Sequence, residues 1–245
     1  MTNPTLFQLI DGARQHAMSA EERRDQGISF TLGNIVVESP SLFRGTVTLA
    51  VPREAFDRAT IVASMVVGHS ESRIPFDPIG AVRQFRLVQQ LVERHVGGER
   101  LAITPFLIRE LHAAAGDPAD PNFGSFRTMA IEVRGSAHVA PPPSDVDVLI
   151  DKFCAELEAR WDTDEALNLG AFALWRLAWI HPFVDGNGRV SRALCYLILC
   201  LKFGFLLPGT PTLIEHLAES REQYFDALAA ADLSYATTGT ADLAP

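Results

Sequence analysis

The sequence predicts a mainly α-helical fold, a helical bundle carrying one or two small β-hairpins. Three observations point there. Residues 164–180 and 190–203 are apolar nearly all round over helical lengths, which marks buried central helices. Residues 53–67, 79–95 and 104–115 repeat their apolar positions at a 3.6-residue period. Only residues 28–51 and 126–139 alternate at period two. With 47% hydrophobic and 21% charged residues among 245, the chain can build a full core and is too apolar to be disordered.

In chain order, the first twenty or so residues read as a short helix with a polar exit near 19–26. Phe43, Val47, Leu49 and Val51 then fall mostly on one side of a period-two pattern together with Gly45, which predicts an N-terminal hairpin. Pro75 and Pro78 separate the 53–67 helix from the next, whose stripe is Val82, Phe85, Val88, Leu91 and Val92. Thr104 as cap and Pro105 in the first turn open the 104–115 helix, and Gly116 with its polar successors ends it. Met129, Ile131 and Val133 alternate before a turn at Gly135, and three prolines at 141–143 stop that island. A helix over 144–158 follows. Asp162 and Glu165 are expected to cap the 164–180 helix, and Gly204 to stop the 190–203 helix. A last helix is predicted over 218–231. Residues 1–52 thus read as an N-terminal extension packed on the core, 53–235 as the main domain and 236–245 as a loose tail.

Charge and cysteine content narrow the function. The balance of 21 Lys+Arg against 30 Asp+Glu gives −9, which argues against nucleic acid or an anionic membrane as partner. A local positive site for a small anion stays open. Cys154, Cys195 and Cys200 form no CxxC pair and sit among apolar residues, so buried free thiols are expected rather than disulfides or a zinc site. The opening residues lack a basic start with an apolar stretch, and Arg176 and Lys202 interrupt the most apolar runs. A cytoplasmic protein without a membrane span is the expectation.

The chemistry lies in HPFVDGNGRVSR, residues 181–192, between the two most apolar helices. Pro182 ends the first helix, and residues 185–188 can only be a tight loop, since two glycines and two Asx residues favour positive φ. The next helix starts at once, so loop amides and orphan helix amides converge on one spot suited to an anion. Arg189 and Arg192, three apart, share a face there and suit a polyphosphate. Asp185 is a hard oxygen ligand beside them, as magnesium on a nucleotide requires. His181 is the loop's one base for the neutral range.

This segment resembles the signature HPFx[DE]GNGRxxR of the Fic (filamentation induced by cAMP) domain family at every fixed position. Residues 124–127, the following island and the prolines look like the family's flap, a hairpin over the active site in which Thr128, Met129, Ala130 and Ile131 would hold the target by strand addition. The helix ending in Leu111 and His112 resembles the family's preceding helix, and residues 220–225 its adenine-side helix. The resemblance covers roughly 55–235 and implies the Fic fold and a protein adenylyltransferase, which moves AMP from ATP to a Tyr, Ser or Thr hydroxyl of a target protein and releases pyrophosphate. It implies His181 as general base, and Asp185 as ligand of magnesium bridging the α- and β-phosphates. Gly186, Asn187, Gly188 and Arg189 would cradle the phosphates, and Arg192 would reach the γ-phosphate. Tyr224 and Phe225 would flank the adenine, with Asp232 where relatives often carry Asn.

One departure concerns control. Many members silence themselves with [ST]xxxE[GN], whose Glu pairs the second motif arginine. The best match expected here is residues 63–68, where Ala63 and Val67 replace the Ser/Thr and the Glu. That reading leaves Arg192 without an intramolecular carboxylate: either inhibition is lost, or a separate antitoxin-like protein supplies the Glu, or something else regulates the site. Rival readings are transfer of UMP, phosphocholine or phosphate, and a non-catalytic nucleotide-binding or interaction module. The intact Gly186-Asn187-Gly188 weighs against phosphate transfer, and the intact His181 against binding alone.

Overall fold

The computed structural model describes residues 6–38, 78–133, 136–241 and 243. Among them the chain forms α1 (Leu6–Gln15), α2 (Ala20–Glu38), α3 (Pro78–Val96), α4 (Pro105–Ala114), α5 (Val146–Arg160), α6 (Ala166–Ile180), α7 (Asn187–Phe203), α8 (Leu213–Glu219) and α9 (Arg221–Thr238). A single 3-10 turn precedes α5 at Pro143–Asp145. The described residues contain no strand, and no described helix is long and apolar enough to cross a membrane.

α7 is the axis of the bundle. It is buried without interruption from Arg189 to Leu201, and α6, α3, α4 and α8 pack around it. α5 lies on α6, α2 on α3 and α8, and α9 on α6 and α8. Phe30 of α2, Phe85 of α3 and Tyr196 of α7 meet with ring centroids 5.2–6.4 Å apart, so α2 shares the central core. All three cysteines are buried free thiols, and burial pushes Cys195 and Cys200 up to about 12.

Several local expectations hold. Thr104 Oγ1 accepts the Leu107 N–H at 3.2 Å with Pro105 at the first position of α4, and α7 ends at Gly204. Others need correction. The polar stretch after α1 opens a helix rather than closing one: Ser19 and Glu22 form a reciprocal capping box, with Ser19 N–H to Glu22 Oε2 at 2.7 Å and Glu22 N–H to Ser19 Oγ at 3.2 Å. Residues 28–38, expected as the start of a hairpin, continue α2; its alternation misleads because α2 buries polar residues on the same turns as Phe30 and Ile35. The rest of that hairpin and the 53–67 helix lie outside the described residues.

Glu165 takes the N-cap position of α6 but makes no side-chain cap bond. Asp162 belongs to the turn closing α5, where Thr163 and Asp164 N–H groups go to Arg160 O. The helix expected over 218–231 is two helices, and the second runs to Thr238 because nothing breaks it before Gly239. Beyond α9, Ala241 and Leu243 pack against the core.

The seat of α2 is tight. Thr212 N–H donates to Ser29 Oγ at 2.6 Å, and Ser29 also bonds Glu215. At Gly33 a Cβ would lie 2.5 Å from the Glu215 backbone nitrogen. Helix propensity alone predicts that Gly33→Ala stabilises by about 1 kcal/mol. The close crossing reverses the sign: overpacking should cost about 1–3 kcal/mol, lowering Tm by about 2–4 °C per kcal/mol. A calorimetric Tm at or above wild type would show that α2 does not sit on α8 this way.

Candidate active site

The loop between α6 and α7 is built around His181, the one non-glycine residue with positive φ among the described residues (φ 51°). The conformation closes α6, since the His181 N–H reaches Leu177 O at 3.1 Å, and backbone strain of this kind concentrates at working sites. The ring Nδ1 lies 3.0 Å from Ala178 O. A carbonyl only accepts, so Nδ1 carries the proton and Nε2 keeps its lone pair. Burial pulls the ring below the ordinary histidine range; the Ala178 bond opposes, while the nearby His138 and Arg127 charges add to the lowering. His181 is therefore a neutral base at neutral pH.

Asn187 shapes the loop by accepting the Phe183 N–H and donating to Phe183 O, both at 2.9 Å. Its side chain, expected among the phosphate ligands, is thus engaged within the loop. Gly186 is the N-cap of α7 at φ 77°, in the left-handed region, and supplies no side chain. The first amides of α7 accordingly have no side-chain cap and form the anion-suited spot that the motif predicts.

The two motif arginines are both buried, 2% exposed. Arg189 donates to Ala115 O at 2.9 Å and to Asp185 Oδ2 at 2.8 Å, and its Nε lies 3.3 Å from Glu38 Oε2. Arg192 donates through Nε to Asn34 Oδ1 and through Nη2 to Glu38 Oε1, each at 2.8 Å. This corrects the expectation that Arg192 lacks an intramolecular carboxylate. Glu38, at the end of α2, fills that place; Ala63 and Val67 lie outside the described residues. The signal was present as Asn34-Ile-Val-Val-Glu38, the expected spacing with Asn in place of Ser or Thr and with Ser39 in place of the final Gly or Asn. A carboxylate at a helix C-terminus opposes the helix dipole, so the two guanidiniums are what hold it. Arg221 Nε secures the same turn by donating to Val37 O at 3.0 Å.

A cavity of about 1070 Å³ opens beside this pair. It collects His181, Asp185, Gly186, Asn187, Gly188 and Arg192 from the motif. Tyr224, Phe225 and Asp232, on α9, also line it. Arg189 is turned away from it, and of the four flap residues named from the sequence only Ile131 lines it. Tyr224 is buried and its ring meets Phe225 at 5.0 Å. Asp232 Oδ1 accepts the Trp175 indole N–H at 2.8 Å, and Oδ2 lies 3.4 Å from His138 Nδ1.

The flap segment has no strand in its described residues, and Gly135 lies outside them. Arg127 organises it. This guanidinium, 3% exposed, donates to His181 O at 2.7 Å, Met129 O at 3.1 Å and Pro141 O at 2.6 Å, and the Arg127 N–H reaches Pro182 O at 2.8 Å. Both limbs of this segment are thereby tied to the loop between α6 and α7. His112, buried beneath that loop, is depressed to about 4, by burial first. Sequence reasoning found Arg127 and His112 only as parts of resembling segments, because their partners are backbone atoms distant in sequence. Among the described residues no group of three or more His, Cys, Asp or Glu side chains could hold a metal ion by itself.

Residues 102–199 match the Fic/DOC family model. Protein adenylyltransferase Fic of Drosophila willistoni is 35% identical over 133 residues, 54% of this chain and 25% of that protein. The enzyme of the same name from Drosophila virilis is also 35% identical over 133 residues, 54% of this chain and 26% of that protein. The aligned part therefore spans about a quarter of the curated relatives. Among solved structures, a Fic family protein from Desulfovibrio desulfuricans G20 superposes with a TM-score of 0.63 at 21% identity, over 92% of this chain and 64% of that one. Fic-1 from C. elegans gives 0.62 at 24% identity, over 97% and 63%. The fold is the Fic fold.

The burial of His181 and His112 makes a pH prediction. Both rings should titrate below the ordinary value of 6.5. A base whose folded pKa lies below its unfolded one binds fewer protons when folded, so stability is full above the unfolded pKa and falls as pH drops below it. Denaturant midpoints should decline between 6.5 and about 4, the His112 interval, and ring-proton NMR should show both histidines neutral at pH 6.5. A His181 titration at or above 6.5 would contradict the neutral-base geometry.

Proposed function

We propose that this chain, which carries a Fic/DOC-family domain over residues 102–199, is a protein adenylyltransferase held at rest by its own Glu38. The observation carrying the reading is the convergence, in one cavity, of the unprotonated His181 Nε2, the uncapped start of α7 and the Asp185 carboxylate. The names of the curated relatives support the same reaction.

ATP would lie with its base toward Tyr224, Phe225 and Asp232 and its phosphates at the start of α7, where the amides of residues 186–188 and Arg192, once released by Glu38, would offset charge. Asp185 fits a magnesium ion that takes its other ligands from phosphate and water, since its carboxylate is 71% exposed while Arg189 fixes one oxygen. When bound, the ion would neutralise charge between the α- and β-phosphates. A Tyr, Ser or Thr hydroxyl of the target, laid along the flap, gives its proton to His181 Nε2. Its oxygen forms a bond to the α-phosphorus, the bond from that phosphorus to the β-bridging oxygen breaks, and pyrophosphate leaves. The Ala178 carbonyl stabilises the imidazolium through Nδ1–H.

On this reading Glu38 would supply within the chain the carboxylate that the sequence reading left either missing or to a separate antitoxin-like protein. While it and Asn34 hold Arg192, the γ-phosphate lacks its partner and the α-phosphate is not aligned for attack. Transfer of UMP, phosphocholine or phosphate gains no support from the unaltered loop, and a binding module needs no strained base at His181. The buried free thiols fit a reducing compartment such as the cytoplasm.

Glu38→Gly should raise AMP transfer from α-labelled ATP about tenfold to a hundredfold, the equivalent of a charge-assisted bond of about 1.5–3 kcal/mol. Label from γ-labelled ATP should not transfer. In that background His181→Ala should cut the rate by about 10²–10⁴ while nucleotide binding stays within a few-fold. Unchanged transfer in Glu38→Gly, or near-full activity without His181, would overturn the respective assignment.

A further inference from the structure

His112 is not part of the motif, yet it touches both the 183–186 loop and the base of the flap segment. It is 1% exposed on the last turn of α4. Its ring stacks on Phe183 of the catalytic loop, with centroids 3.7 Å apart and planes within 15°, and on Phe123 at 4.7 Å. A Cβ on Gly186 would come 3.3 Å from its edge.

Both ring nitrogens are used, and each use fixes the other. The Gly124 N–H, at the base of the flap, points to Nδ1 at 2.8 Å, so Nδ1 must be an acceptor. Nε2 lies 2.9 Å from the Asp185 carbonyl oxygen, which can only accept, so Nε2 carries the hydrogen. One neutral tautomer satisfies both contacts, and neither an imidazolium nor the other tautomer does. Phenylalanine would fill the same aromatic slot and satisfy neither backbone group, each of which costs about 1–3 kcal/mol when buried without a partner.

We propose that His112 is a positioning residue that registers the base of the flap against the backbone of Asp185, so that the target strand and the nucleotide's phosphates are presented together. The assignment of what is positioned rests on the adenylyl-transfer reading above; the two hydrogen bonds do not. A ring that served only as core filler would need no polar atoms, whereas this one spends both on the two segments that carry the two substrates. Arg127 ties the flap to His181, and His112 ties it to Asp185, so the loop is held to the flap on both sides.

The two arms can be separated in the full chain. The amide oxygen of Asn stands where Nδ1 stands, and the amide nitrogen of Gln stands where Nε2 stands. His112→Asn should keep the flap bond and lose the loop bond; His112→Gln should do the reverse; His112→Phe should lose both. Two readouts need no transfer activity: hydrogen exchange at the Gly124 amide, and the Kd for ATP with magnesium by calorimetry. Exchange should quicken at least tenfold in the Gln and Phe variants but not in Asn. The Kd should weaken about fivefold or more in the Asn and Phe variants but not in Gln. In the Glu38→Gly background, KM for the target should rise with the flap arm and KM for ATP with the loop arm. Equal changes in all three variants, or a Phe variant indistinguishable from wild type, would overturn the assignment. Were Phe unable to fold, the opposed Asn and Gln patterns would still decide it. Absence of any AMP transfer by Glu38→Gly itself would instead refute the reaction, leaving exchange and calorimetry to judge His112.

Discussion

The structure turns on a buried guanidinium. Arg192 lies at the start of the central helix with 2% of its side chain exposed, and a charge there must be matched or it costs several kcal/mol. Asn34 and Glu38 match it from α2. The rest of the N-terminal architecture follows: the close crossing at Gly33, the Ser29 contacts with α8 and the Arg221 bond to Val37 O all bring the end of α2 to that guanidinium. On the proposed reading, a nucleotide's terminal phosphate and Glu38 would be alternative partners for this one cation, and the same desolvation that strengthens the pair would sharpen their competition.

Around that cation the catalytic loop is held by backbone atoms more than by the side chains that define its motif. Asn187 closes the loop on Phe183, Arg127 grips the His181 carbonyl and both limbs of the flap, and His112 grips the Asp185 carbonyl. The strained His181 backbone persists because these contacts over-determine it. His181 and Asp185, the groups to which the proposed reaction assigns chemistry, line the cavity.

The helices and the 181–192 loop were legible because their causes are local. Thr104 before Pro105, and Gly186 at positive φ before the helix that opens at Asn187, each specify backbone within a few residues, and the loop's glycines and arginines together suggest an anion site. α2 was not legible. Its buried face contains Gln26, Ser29, Thr31 and Asn34 among the apolar residues, so the 3.6-residue stripe is broken by the polar groups that seat it. Glu38 as a partner of Arg192 was missed for a related reason: Asn34 stands where the sought motif has a hydroxyl residue, and it bonds Arg192 directly. His112 and Arg127 act on carbonyls and amides across the fold, partners that no sequence pattern records.

The central claim is that Glu38 acts on the site through Arg192 and not through the fold at large. Its most direct test is a double-mutant cycle on AMP transfer, comparing the gain from Glu38→Gly with Arg192 intact and in an Arg192→Ala background. The account predicts a gain of about tenfold or more in the first case, from the lost charge-assisted bond, and none in the second. An equal gain in both backgrounds would show that Glu38 restrains the enzyme by some route other than Arg192.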